Sequence, residues 1–178
     1  DVVIISHEHE DHNQAQLVDG NPFVISGAGE YEVKGVSVLG VSCFHDSSGG
    51  SERGRNTVYL IVIDGLRVCH LGDLGHKLTS DQLEELEGVD ILLVPVGGVY
   101  TLGPQEAAEV VLQLEPKIII PMHYKTPGLN PQIFEKLSEV EKFVEKLGEP
   151  SINQPKLVVT NQTLPEERQV VILERKNA

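Results

Sequence analysis

Three of the seven histidines in this 178-residue chain, His7, His9 and His12, fall within six residues, with Asp11 among them. Neutral imidazole and carboxylate are ligands for divalent metal ions, zinc first and then iron or manganese. In an extended segment His7 and His9 project to the same side, because side chains alternate with period two. If a helix begins near Asp11, then Asp11 and His12 turn towards the same space from a second direction. One short segment can then supply two ligands to each of two neighbouring ions. The alternative is an accidental cluster of surface histidines, which ordinary residue usage should produce in well under about one chain in a thousand.

Such a run needs a rigid base, and the flanking sequence offers one. Val2 to Ile5 reads as a strand delivering the histidines. Phe23 to Ile25 and Tyr31 to Val33 are short strand candidates joined by Gly27-Ala28-Gly29. Val36 to Phe44 and Thr57 to Ile63 are longer, separated by a Gly- and Ser-rich loop, Ser47 to Gly54. Asp64-Gly65 signals a hairpin returning as Leu66 to Leu71. Thr79 and Gln82 have the spacing of a helix capping box, and Gly88 closes that helix. Val89 to Val94 and Lys117 to Met122 are buried strands flanking a helix opened by Pro104. A long amphipathic helix is expected after Asn130-Pro131, with Ile133, Leu137, Val140, Val144 and Leu147 on one stripe. Leu157 to Thr160 and Gln169 to Leu173 complete the strands. Strands dominate the first half and strand–helix alternation the second, which indicates sheets covered by helices in one domain over residues 1–178.

Composition narrows the partners. Acidic side chains number 27 against 14 basic ones, for a net charge of −13. A polyanion would be repelled at long range, so nucleic acid is disfavoured. The apolar runs are strand-sized and none spans a bilayer. Two cysteines, Cys43 and Cys69, sit in apolar strand-like stretches, as expected of a reducing cytoplasm. Asp1 opens directly into a buried-strand pattern, and we read the domain as N-terminally incomplete, with roughly forty to sixty residues expected upstream, the span of a few short strands. A sheet edge left uncovered in this way favours aggregation, pairing with the upstream piece, or pairing with a second copy, so a homo-oligomer is one of the expected outcomes.

The run His7 to His12 resembles the His-x-His-x-Asp-His signature of the metallo-β-lactamase superfamily. The resemblance implies a four-layer αββα sandwich, here without its first strands. It also implies further ligands in a set order, and the chain offers His45 after the strand ending at Phe44, Asp73 after His70-Leu71-Gly72, and His123 after Ile120-Pro121-Met122. By role, the family places His7, His9 and His45 on one ion, Asp11, His12 and His123 on a second, and Asp73 between them. His70 points away from Asp73 along its strand and is structural. His76, in the loop after Asp73, and Tyr124, after His123, are candidates for substrate contact and for the leaving-group acid.

The family comparison implies hydrolysis by a metal-activated water, with Asp73 bridging and Asp11 orienting the nucleophile. His at position 9 favours hydrolysis, since flavin-partnered di-iron relatives carry Glu there. Asp73 stands where a strict zinc β-lactamase has Cys. The segments around His70 to Gly75 and Pro121 to Tyr124 are similar to a compact microbial branch that includes manganese-dependent lactonases of the ascorbate-6-phosphate type. The expected activity is therefore a cytoplasmic metal-dependent hydrolase acting on a small ester, lactone or phosphorylated metabolite. A metal-dependent nuclease or phosphodiesterase, and a non-catalytic metal-binding member of the fold, are the alternatives.

Overall fold

The computed structural model describes residues 1–175. Ten strands run in chain order as β1 (Val2–Ile5), β2 (Phe23–Ser26), β3 (Gly29–Val33), β4 (Val36–Phe44), β5 (Arg55–Ile63), β6 (Leu66–His70), β7 (Ile91–Pro95), β8 (Ile118–Met122), β9 (Ser151–Gln154) and β10 (Gln169–Leu173). The helices are α1 (Ser80–Glu85), α2 (Pro104–Leu114), α3 (Pro131–Phe134) and α4 (Val140–Leu147). Eight strands form one sheet in the order β3-β4-β5-β6-β7-β8-β10-β9, while β1 and β2 pair in parallel as a separate small sheet. The β3 to β6 half is antiparallel, and the β6 to β9 half is parallel.

Strand alternation sorts the side chains onto two faces. Val41, Cys43, Val58, Leu60, Cys69, Leu92, Val94, Ile119 and Val170 face a single large core, closed by Leu86, Val110, Val111 and Phe143 from the helices. On the opposite face, Val38 and Tyr59 pack under Val2, Ile4 and Ile25 of the small sheet. Further along that face, Leu66, Ile91, Ile118 and Val171 are covered by Leu157, Val159 and Leu164. A helix layer, the large sheet and the small sheet opposite it are thus three of the layers expected. The architecture is a mixed α/β fold whose central sheet is flanked by helices.

Several elements follow the sequence reading closely. Thr79 caps α1 with the reciprocal Gln82 bonds of a capping box, and Asp64 and Gly65 both take positive φ in the β5–β6 hairpin. Three expectations fail. No helix starts at Asp11; the backbone there is a turn, with the amides of His12 and Asn13 both bonded to the His9 carbonyl. The long helix after Pro131 is broken between α3 and α4. Within the break, the Ser138 amide donates to Gly97 and the Ser138 carbonyl accepts from Lys125, so tertiary bonds win over a persistent helical period. Leu157 to Thr160 joins no sheet. Its alternation is real, with Leu157 and Val159 packed inward, but it lies across the sheet face without a ladder. The strand missed in that region is β9, exposed and polar at the sheet edge, where no apolar pattern marks it.

Gly40 shows how closely the small sheet approaches the large one. A Cβ there would collide with the Gly27 carbonyl oxygen and crowd the Tyr59 ring. The Tyr59 hydroxyl lies beneath, donating to the Ile5 carbonyl at 2.8 Å and accepting from the Gly27 amide at 2.9 Å. That contact ties the end of β1, and so the histidine run, to the centre of β5.

Candidate metal centre

The candidate ligands all leave strand ends on one rim of the molecule. His7 follows β1, His45 follows β4, Asp73 follows β6 and His123 follows β8. Four imidazole nitrogens converge on one carboxylate oxygen. From Asp73 Oδ2 the Nε2 atoms lie at 3.3 Å (His45), 3.6 Å (His123), 3.7 Å (His12) and 3.9 Å (His7). His7, His9 and His45 present ligand atoms within 4.8 Å of one another, and so do His7, His12 and Asp73. His7 thus belongs to both groupings.

The burial is uneven. His7, His45 and Asp73 are buried, whereas His9 and His12 reach the surface. Asp11 is well exposed, its side chain 77% accessible, and it approaches the cluster through His12 Nε2 at 3.7 Å.

Local bonding explains why the buried members hold their places. Asn56, almost fully buried at the start of β5, grips the turn that carries Asp73. Its Oδ1 accepts the Asp73 amide at 2.9 Å and its Nδ2 donates to the Leu71 carbonyl at 2.9 Å. The Thr57 amide donates to the Ser6 carbonyl at 2.7 Å, docking β5 beside the histidine run. Gly72, with φ of +58°, sits against Asn56 and Ser6 where a Cβ would clash with both. His123 itself has φ of +53°, a left-handed backbone that an L-residue adopts at a cost of order 1–3 kcal/mol.

Asp46 performs a similar service beside His45. Its carboxylate accepts the amides of Ser48 (2.8 Å), Gly50 (2.9 Å), Glu52 (3.1 Å) and Arg53 (2.8 Å). The Arg53 amide, with the other three, draws the Asp46 carboxyl down to about 2 against the effect of burial. The Gly- and Ser-rich stretch expected to be a plain loop is therefore a tightly bonded one.

At His7 and Asp73 the electrostatics favour the protonation states that ligands need, whereas at His45 they favour the charged imidazole. Burial, working against the pull of Asp73, pushes His7 down to about 4. Burial alone would raise the Asp73 carboxyl, but the His45 bond and the neighbouring imidazoles bring it to about 2. For His45, the hydrogen bond and charge of Asp73 outweigh burial and raise its pKa.

The donor set fits a metal ion. Among the described residues, His7 Nε2 is buried with no hydrogen-bond partner, although its Nδ1 lies 2.9 Å from Ser6 Oγ. A buried polar atom left unpaired costs about 1–3 kcal/mol, and coordination would remove that cost. With Ser6 engaging Nδ1, Nε2 is the free nitrogen aimed at the cluster, which is how a ligating histidine is usually oriented.

The remaining candidates separate. Tyr124 lines a cleft of about 330 Å³ together with Asp11, His12 and His123. Burial, with the Glu141 charge, raises its phenol and keeps it protonated. His76 spends both ring nitrogens on backbone: Nε2 accepts from the Phe44 amide at 3.1 Å and Nδ1 lies 2.7 Å from the Lys77 carbonyl. His70 faces away from the helix-covered core, and its Nδ1 accepts the Gly72 amide at 3.0 Å. Sequence reasoning missed Asn56 and Asp46. Only Asp46 left a signal, an Asp opening a Ser- and Gly-rich turn.

With this geometry in view, comparisons with known proteins show the family to which the chain belongs. Residues 1–123 match the family model described as the β-lactamase superfamily domain, and the chain belongs to that superfamily. More particularly, it is 34% identical over 179 residues to a protein of Thermococcus onnurineus named a metal-dependent hydrolase, covering 84% of this chain and 80% of that one. A crystal structure from Thermotoga maritima, assigned as a Zn-dependent hydrolase of the metallo-β-lactamase superfamily, superposes with a TM-score of 0.79 at 43% identity. That match covers 97% of this chain and 81% of the other. A metallo hydrolase from Ignicoccus hospitalis, at 23% identity, shares the fold with a TM-score of 0.63 over 98% of this chain and 76% of its own.

Proposed function

We propose that this protein hydrolyses a small ester, lactone or phosphorylated metabolite with a pair of divalent metal ions held by His7, His9, Asp11, His12, His45, Asp73 and His123. The chain is a metal-dependent hydrolase of the metallo-β-lactamase superfamily, as its relatives are. The observation that carries the finer reading is the convergence of four imidazoles on Asp73 Oδ2, with the buried His7 Nε2 unpartnered beside it. Zinc is the ion we favour, with manganese or iron as the other choices for a set of nitrogen and oxygen donors.

When bound, such ions would acidify a water and polarise the scissile carbonyl or phosphoryl group. The side chains supply the rest. Asp73, held ionised, faces imidazoles of both ligand groups and would keep them in register. Asp11, exposed at the mouth, orients the attacking water and accepts its proton on a carboxylate oxygen. Tyr124, protonated and lining the same cleft, can donate its phenolic proton to the leaving oxygen, whereas His76 serves the loop that follows Asp73. The partner is a small molecule rather than nucleic acid, in keeping with the net charge of −13. Among the described residues no helix is long and apolar enough to cross a membrane. Two buried free thiols support a cytoplasmic setting.

Elemental analysis combined with a panel of ester, lactone, thioester and phosphodiester substrates tests this. Two transition-metal ions per chain are expected, with ester or lactone turnover lost to chelator and regained on adding metal. A chain that takes up no transition metal, or that cleaves phosphodiesters alone, would overturn the reading.

A further inference from the structure

We infer that Arg53 recognises an anionic group of the substrate, a carboxylate or phosphate, at the edge of the metal centre. This rests on the hydrolase reading above and adds to it the charge of the substrate. Arg53 ends the loop between β4 and β5, whose backbone is fixed by the four amide bonds to Asp46. The loop is closed at its base by the His45 amide bonded to the Gly54 carbonyl at 3.0 Å. The arginine is thereby placed in advance of any ligand.

Its side chain is only one-third accessible and spans the rim of the site. The guanidinium carbon lies 5.5 Å from the centre of the Tyr100 ring, close enough for a cation–π contact that fixes its plane. Tyr100 is itself anchored, its hydroxyl donating to the Ile133 carbonyl at 3.0 Å, and its ring lies 6.4 Å from that of His123. Arg53 therefore reaches from the His45 side of the centre towards the His123 side. It also lines a cleft of about 330 Å³ shared with His7, His9 and Arg55.

The donors of this guanidinium are unspent. Among the described residues it makes no side-chain hydrogen bond, and the one carboxylate near it is that of the adjacent Glu52, at a loose 3.8 Å. Glu8, on the same cleft, is turned to Asn13 and Ser26. A planar fork of N–H donors matches a carboxylate or phosphate in bidentate fashion, which a lysine cannot do equally well. In a chain of net charge −13, two arginines on the wall beside the ligand cluster make a local site for an anion.

The test compares wild type, Arg53→Gln and Arg53→Lys, all metal-loaded, on two matched esters: mono-4-nitrophenyl succinate, which carries a carboxylate, and neutral 4-nitrophenyl butyrate. Wild type should prefer the charged ester. In Arg53→Gln the ratio of kcat/KM values should fall by about 10- to 100-fold, chiefly through KM, as expected for losing hydrogen bonds to a charged group. Arg53→Lys should fall less, and it supplies the comparison if the Gln variant folds poorly. In parallel, nitrogen-15 spectra should show the Arg53 side-chain Nε–H resonance moving on titration with sodium succinate or inorganic phosphate. The anion acting at lower concentration identifies the group. A wild type without preference for the charged ester, an unchanged ratio in Arg53→Gln, or a resonance indifferent to both anions would overturn the inference. If wild type cleaves neither ester, the choice of ester substrates is at fault, and the titration alone decides the anion site.

Discussion

Two parts of the candidate metal centre, leaving His123 aside, are built differently. His7, His45 and Asp73 are buried at the ends of long or tightly docked strands, each braced by its surroundings: Ser6 on His7, the Asp46 loop beside His45, and Asn56 on Asp73. His9, Asp11 and His12 stand on an exposed turn held by two amide bonds to one carbonyl. The first half can keep its shape through sheet packing alone. The second is ordered by little of the protein and gains most from a bound ion. Buried and exposed candidate ligands thus stand side by side, the exposed ones open to solvent.

The largest effect expected from this contrast is at Asp73. Asp73→Ala should lower turnover by about a thousandfold or more, the scale of metal-assisted charge stabilisation, and reduce the metal content. Circular dichroism should show the fold retained, since no sheet contact depends on that side chain. Full turnover in this variant would remove Asp73 from the centre.

Next comes the brace behind it. Asn56→Leu has nearly the same shape but leaves the Asp73 amide and the Leu71 carbonyl buried and unpaired. We expect a loss of about 2–4 kcal/mol in urea unfolding and a 10- to 100-fold weaker metal affinity by chelator competition. A variant as stable as wild type would mean that the turn holds itself.

The smallest effect on the metal-free protein is expected at His9. His9→Ala should leave the melting temperature of the chelated protein within about 2 °C, because a surface change is worth little there. It should clearly reduce the additional stabilisation that metal confers. Equal losses with and without metal would show the exposed turn to be part of the scaffold, and the contrast between the halves would fail.

Much of this arrangement is legible in the sequence because it depends on local alternation. Val36 to Phe44 reads as a strand from its own pattern, and His45 then falls at the strand end where a ligand is useful. His7, His9 and His12 announce themselves by spacing alone. What the sequence hides is non-local. Nothing around Asn56 says that its amide will bridge Leu71 and Asp73, since that pairing requires β5 and β6 to be in register. The stripe from Ile133 to Leu147 is helical in period, yet Ser138 is claimed by Gly97 and Lys125. Edge strand β9 is written in polar residues that carry no burial signal. Tertiary hydrogen bonds decide each of these places.

The depth at which β4 and β6 are buried has a further consequence. Cys43 lies two residues before His45, and Cys69 four before Asp73, but both thiols face the helix-covered core. Burial raises Cys43 to about 12 and Cys69 further still, so neither offers a thiolate at neutral pH. Soft sulfur, a competing donor within a few residues of the candidate ligands, is kept inside the packed core. If the proposed residues bind metal, burial of the two thiols would act as a chemical filter, leaving nitrogen and oxygen donors to choose the ion.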